Sequence, residues 1–327
     1  MNNSKNVHHE VMRAEVPGPV FGKVVAKLKN TAQILYIIYL GMFVIFAMIL
    51  WICGMPLFDS IVIAMGGAGT GGFAVYNDSI AYYNSDLITY VVTVGTLLFG
   101  VNFNLYFYIL LRKIRFFFQD EELRTYLTIV AVSTSLIILN IFGIYHSLAN
   151  SFKYSFFEVS TIITTTGFGL TDITKWPLFS QYILLLLMFI GGSAGSTAGG
   201  FKVIIIAKIA RNQTLASLYP NRILSLHING SVLDKETQHS VLKYLAVYVL
   251  IILSLVTILS LDNQNFLIVT SAAASTFNNI GPLLGTTDSF AIFSPLSKLI
   301  MGFAMIAGRL EIYPLLLLFL PKTWSKI

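Results

Sequence analysis

The sequence predicts an all-α polytopic membrane protein made of repeated units, each a span, a re-entrant half-helix, a loop and a second span. Three observations carry this reading. Of 327 residues, 56% are hydrophobic and only 11% charged, whereas soluble domains hold roughly 25% charged residues. Several apolar runs reach the length of about 20 residues that a bilayer requires. Between them lie shorter apolar runs that end in Thr/Gly or Asn/Gly clusters.

Residues 1–30 form a polar, basic tail, broken by Pro17, Gly18 and Pro19. His8, His9 and Glu10 lie there without companions that would complete a metal site, so the tail reads as solvated. No secretory h-region is expected, because the first apolar span follows this tail and is too long. Residues 31–115 make the first unit. A span over 31–52 is followed by a short run over 56–69, the loop Thr70-Gly71-Gly72-Phe73 and a span over 87–111.

The order recurs over 116–213. Residues 126–145 span, 155–163 are short, and Thr164-Thr165-Thr166-Gly167-Phe168-Gly169 follows. A third run, 178–190, breaks at Gly191-Gly192-Ser193-Ala194-Gly195-Ser196-Thr197-Ala198-Gly199-Gly200 and resumes over 201–210. After a linker at 214–240, residues 241–327 repeat the plan. Residues 241–261 span, 266–277 are short, Asn279-Ile280-Gly281-Pro282 closes the loop, and 293–320 span. Gly72, Gly167 and Gly281 stand 95 and 114 residues apart, the mark of a repeat architecture.

Backbone that is neither helix nor closed barrel survives at membrane depth only where it is buried in protein or lines water. Thr and Gly in such a place can turn carbonyls toward a cation and replace its hydration shell. Glycine allows the angles this needs. The glycine break at 191–200 points to a transport site. Close helix packing through small residues is the plainer alternative, but five glycines in ten residues exceed what packing needs. A non-helical loop there would lie under the Thr/Gly loops and obstruct a pore.

Charge placement sets orientation. Of 21 Lys and Arg, 17 fall in the tail, in 112–124, in 202–243 and at the C-terminus. The positive-inside rule then places those segments and both termini in the cytoplasm, with the re-entrant loops entering from outside. The net charge of +6 is explained by topology, and no nucleic-acid partner is expected. The single cysteine, Cys53, excludes an intrachain disulfide and reads as a small hydrophobe.

Enzyme motifs dissolve on inspection. Residues 67–72 match G-x-G-x-x-G but end a membrane half-helix, where a dinucleotide site needs a preceding strand. Residues 191–195 match the nucleophile elbow G-x-S-x-G without strand, acid or histidine company, which disfavours a hydrolase using Ser193 or Ser196. No catalytic residue is expected. Arg309 and Glu311 lie within the last span, where charges are costly and face a cavity or each other. Arg309 therefore reads as lining a vestibule, with a local ion pair or a helix–helix staple as the alternative. Glu158 is either support for the filter loop or an interface contact.

These signatures together resemble the TrkH/KtrB/HKT superfamily of potassium transporters. The resemblance rests on residues 70–73, 164–169, 191–202, 277–282 and 308–312, with the linker 12–19 like that of the TrkH branch. It implies a pseudo-fourfold pore of four units, with filter strands at Thr70, Gly71, Gly72, at Thr165, Thr166, Gly167, and at Asn279, Ile280, Gly281. Potassium would be the substrate, 191–200 the gating loop and Arg309 the positive vestibule residue. It also implies a homodimer in the plasma membrane with a cytosolic nucleotide-binding ring, a lipid environment and no bound cofactor. The linker between the family's first and second units begins almost at Met1. Three filter strands cannot close a fourfold ring, so the chain alone is expected not to conduct selectively, whether as a fragment, a truncated product or half of a split protein.

Overall fold

The structure, a computed structural model, describes residues 28–200, 227–228, 231–232 and 235–309. The N-terminal linker motif, the run 201–210, most of the linker 214–240 and Glu311 lie outside these residues. In chain order the helices are α1 (Leu28–Ile52), α2 (Leu57–Ala68), α3 (Asp86–Phe99), α4 (Phe103–Leu110), α5 (Ile114–Gln119) and α6 (Glu121–Tyr145). They continue as α7 (Leu148–Ile163), α8 (Leu178–Ile190), α9 (Lys235–Leu259), α10 (Phe266–Phe277) and α11 (Pro295–Arg309). One two-residue antiparallel pair, His227–Ile228 with Ser231–Val232, falls in the expected linker.

Helix starts follow from the sequence. Ser147 accepts from the Asn150 amide and Asn265 from the Leu267 amide, meeting donors that a first turn leaves orphaned. Pro56 precedes α2 with its ring-fixed φ. Segments 32–52, 121–145 and 238–262 are long and apolar enough to cross a membrane.

Two expectations need correction. The run 87–111 is not one straight span, because α3 stops at Phe99 and α4 leaves at 93°. Gly100 caps α3, and the Asn102 side chain starts α4 by accepting from the Asn104 amide. The second short helix starts at Leu148, not at 155. Its first two turns carry Asn150, Ser151 and Lys153, which interrupt the apolar run while leaving an amphipathic helix.

Three core clusters form, one on α1–α3, one on α6–α8 and one on α9–α11. Each short helix packs against the long one before it, α2 on α1, α7 on α6 and α10 on α9. Helix α7 also packs on α3 and α8, and α10 on α8. The three short helices thus bring their C-terminal loops to one place.

Candidate functional site

The three loops share one backbone pattern. Thr70, Thr165 and Asn279 have φ of 50°, 55° and 55°, and Gly72, Gly167 and Gly281 have φ of 64°, 80° and 111°. A left-handed residue, an ordinary one and a left-handed glycine therefore follow each half-helix. Thr166 N–H bonds the Thr161 carbonyl at 2.8 Å, Gly71 N–H the Gly66 carbonyl at 2.8 Å, and Ile280 N–H the Ser275 carbonyl at 2.8 Å. The turn is thus tied back to its own helix in the same register each time. Thr161 and Ser275 add side-chain support, accepting from Phe168 N–H and Gly281 N–H at 2.6 and 2.9 Å.

Neighbouring loops touch in order. A Cβ on Gly72 would collide with the Thr166 carbonyl oxygen, and one on Gly167 with the Ile280 carbonyl oxygen. Each glycine is therefore the seat of the next loop's carbonyl. Gly281 breaks the series, with nothing within 4 Å of its Cβ position. On that side a cleft of about 600 Å³ separates the first loop from the third, lined by Thr70, Gly71, Ile280, Gly281 and Arg309 among others.

Under the loops lies the glycine-rich segment 191–200. Helix α8 ends at Ile190, and Gly191, Gly195 and Gly200 take φ of 70°, 72° and 91°. The segment is non-helical, and close packing alone does not account for it. Thr70 Oγ1 donates to the Thr197 carbonyl at 2.9 Å, and Gly199 N–H donates to Thr165 Oγ1 at 2.8 Å. The same threonines that begin two of the loops thus clamp the segment beneath them. From the other side, Ser193 N–H donates to the Gly100 carbonyl at 3.0 Å and Thr197 Oγ1 to the Phe99 carbonyl at 3.2 Å.

Arg309 reaches across the segment. Its guanidinium donates to the Thr197 and Gly69 carbonyls, both at 3.4 Å, and its side chain is exposed to the cleft. Long bonds to two carbonyls leave most of its charge facing open space. Glu158 is 1% exposed behind the second loop, with the Leu170 and Thr171 amides at its carboxylate and Oε1 without a partner. Ser193 Oγ is buried and unpartnered, and no metal-ligating group of three side chains occurs among the described residues.

Sequence reasoning missed Asn278. Its amide donates to the Met188 carbonyl at 3.0 Å and exchanges hydrogen bonds with the buried Tyr248 hydroxyl at 2.9 and 3.1 Å. It thereby pins α10 to α8 and α9 just before the third loop. A polar pair closing an apolar helix was the visible signal. Glu122 was missed too; its carboxylate accepts from Ala194 N–H at 2.5 Å, and nothing in the first turn of α6 announces that partner.

Short apolar helices that end in touching loops above a non-helical segment, among helices long and apolar enough to cross a membrane, fit a polytopic membrane transport protein. The chain belongs to the TrkH family of cation transport proteins, whose family model matches residues 8–326. It is 35% identical to the Trk system potassium uptake protein TrkH of Salmonella typhimurium, over 97% of this chain and 67% of that protein. It is 32% identical to TrkG of Escherichia coli K12, over 96% and 66%. The crystal structure of the potassium transporter TrkH from Vibrio parahaemolyticus matches with a TM-score of 0.86 at 28% identity, covering 96% of this chain and 69% of that one. The chain spans about two thirds of the length of these relatives.

Proposed function

We propose that the chain is the membrane subunit through which a monovalent cation, potassium, is taken up. The relatives named as potassium uptake proteins support this. The observation that carries it is the backbone pattern repeated at residues 70–72, 165–167 and 279–281, with the carbonyls of Thr166 and Ile280 each seated on the preceding loop's glycine. Such carbonyls would take the place of water around a dehydrated ion.

The segment 191–200 acts as the gate, held shut by Thr70 and Thr165. Arg309 adds positive charge beside the passage, raising the energy of a cation there and limiting its dwell. The units 31–115, 116–213 and 241–327 each contribute one strand. Both termini are cytoplasmic in the inner membrane, and the chain works as a homodimer with a cytosolic nucleotide-binding ring.

The open face at Gly281 favours a second reading, a subunit that keeps the fold and conducts nothing until another segment closes the ring. One experiment separates the two. A strain lacking its own potassium uptake is given this chain alone, or with the third of the Salmonella TrkH that the chain does not match. Growth at low potassium with both polypeptides supports the transport reading. Association without uptake favours the non-conducting one, and neither association nor uptake contradicts both.

A further inference from the structure

Residues 103–119, the hairpin of α4 and α5, have no part in the transport reading, yet their placement is unusual. Helix α4 departs at 93° from α3. If α3 crosses the bilayer, α4 runs along its surface. Every residue from Ile109 to Phe116 is exposed. Leu110, Ile114, Phe116 and Phe118 are 65%, 53%, 57% and 62% exposed, beside exposed Arg112, Lys113 and Arg115. Large apolar side chains interleaved with basic ones suit the boundary between acyl chains and headgroups. Of the three acids at the hairpin's far end, Glu121 is exposed, while Asp120 turns to the Leu123 amide and Glu122 to the Ala194 amide.

Both roots of this hairpin grip the gate. At the first, Phe103 N–H donates to the Gly195 carbonyl at 3.0 Å, and Asn102 Oδ1 would lie 3.0 Å from a Cβ on Gly195. At the second, Glu122 accepts from Ala194 N–H. Phe103 and Glu122, 19 residues apart in sequence, thus hold consecutive residues of one loop. A shift of the hairpin cannot leave Ala194 and Gly195 where they are.

We infer that the hairpin is a foot seated on anionic phospholipid headgroups of the cytoplasmic leaflet, and that its seating holds the loop 191–200 in place. This rests on the reading of 191–200 as the gate. Arg112, Lys113 and Arg115 supply the charge, and each basic side chain near an anionic surface strengthens seating on the order of fivefold. Phe116, Phe118, Leu110 and Ile114 enter the acyl boundary. Glu122 is a positioning residue that transmits the seating to Ala194.

The test uses thiol modification, which needs no ion to pass. In the full chain carrying Cys53→Ala and Ser193→Cys, the new thiol replaces a buried hydroxyl. The protein is reconstituted into phosphatidylcholine vesicles with or without phosphatidylglycerol, and a water-soluble maleimide is added. Phosphatidylglycerol should slow modification by about fivefold or more. The triple variant Arg112→Gln, Lys113→Gln, Arg115→Gln should lose that lipid dependence. Glu122→Ala should modify faster in both lipids, while Glu122→Gln, whose amide oxygen still accepts, should stay near the parent.

Equal parent rates in the two lipids overturn the inference even if the triple variant fails to fold. So does a lipid dependence that survives in a folded triple variant. A spin label at Phe116→Cys supplies the second readout. It should be shielded from a water-soluble nickel relaxant; free access would mean that the hairpin stands in water, available to a protein partner instead. Absence of potassium uptake would sink the transport reading and leave these rates unchanged.

Discussion

The second and third loops have the same backbone and opposite surroundings. Gly167 sits against the Ile280 carbonyl with no room for a Cβ, whereas Gly281, at the matching position, faces open space. Both keep positive φ, and both turns are tied back to the helix that precedes them. The loop conformation is therefore written locally, in the end of each half-helix. Contact between loops is a separate, tertiary property, and it is what glycine is needed for twice over at Gly167.

That contrast can be broken first by substituting alanine at each glycine. Gly167→Ala meets both an unfavourable φ, about 1–2 kcal/mol, and a collision of the overpacking kind, about 1–3 kcal/mol more. Gly281→Ala meets only the first. Thermal or denaturant unfolding of the purified protein should show the larger loss at Gly167; equal losses would mean that the loops do not touch as described. The gap should narrow when a further segment covers the Gly281 side.

Asn278 tests how the third loop holds its place without a neighbour on its open flank. Asn278→Ala removes the bond to the Met188 carbonyl and both bonds shared with the buried Tyr248 hydroxyl, at a cost of about 1–3 kcal/mol. Tyr248→Phe should cost less, because Asn278 keeps its bond to Met188. The reverse order would mean that the carbonyl contact contributes little.

Below the loops, deletion of residues 192–199 should raise cation flux severalfold in a folded protein, since Thr70 and Thr165 then clamp nothing. Lower flux in a folded deletion would contradict the gate. The smallest effect is expected at Arg309. Its bonds are long and exposed, so Arg309→Ala should change flux by a few-fold while assembly, followed by size-exclusion chromatography, is retained. Loss of assembly would make it a staple between helices.

The legible parts of the fold were those set by local chemistry. Half-helix ends at Ala68, Ile163 and Phe277 were readable because Thr, Gly and Asn stop an apolar run there, and the break at 191–200 because no helix tolerates so many glycines. The elbow at 100–102 was not readable, since a Gly-Val-Asn step inside an apolar run also fits a continuous span. What bends it is a partner far away in sequence, the Gly195 carbonyl that receives Phe103 N–H. Glu122 was hidden for the same reason, as its partner Ala194 lies 72 residues on. Arg309 stood out as a charge in a span, but its reach to Thr197 and Gly69 needed the structure.

The seating of Ile280 on Gly167 is tested most directly by cation competition. Cells lacking their own potassium uptake would express the chain with the unmatched third of the Salmonella relative. Rubidium uptake would then be measured against rising sodium, for the parent and for Gly167→Ser. A serine side chain would drive the Ile280 carbonyl from its seat. The account predicts that discrimination against sodium falls about tenfold or more, the equivalent of roughly 1.4 kcal/mol or more. Unchanged discrimination with normal uptake would show that these carbonyls do not select the ion.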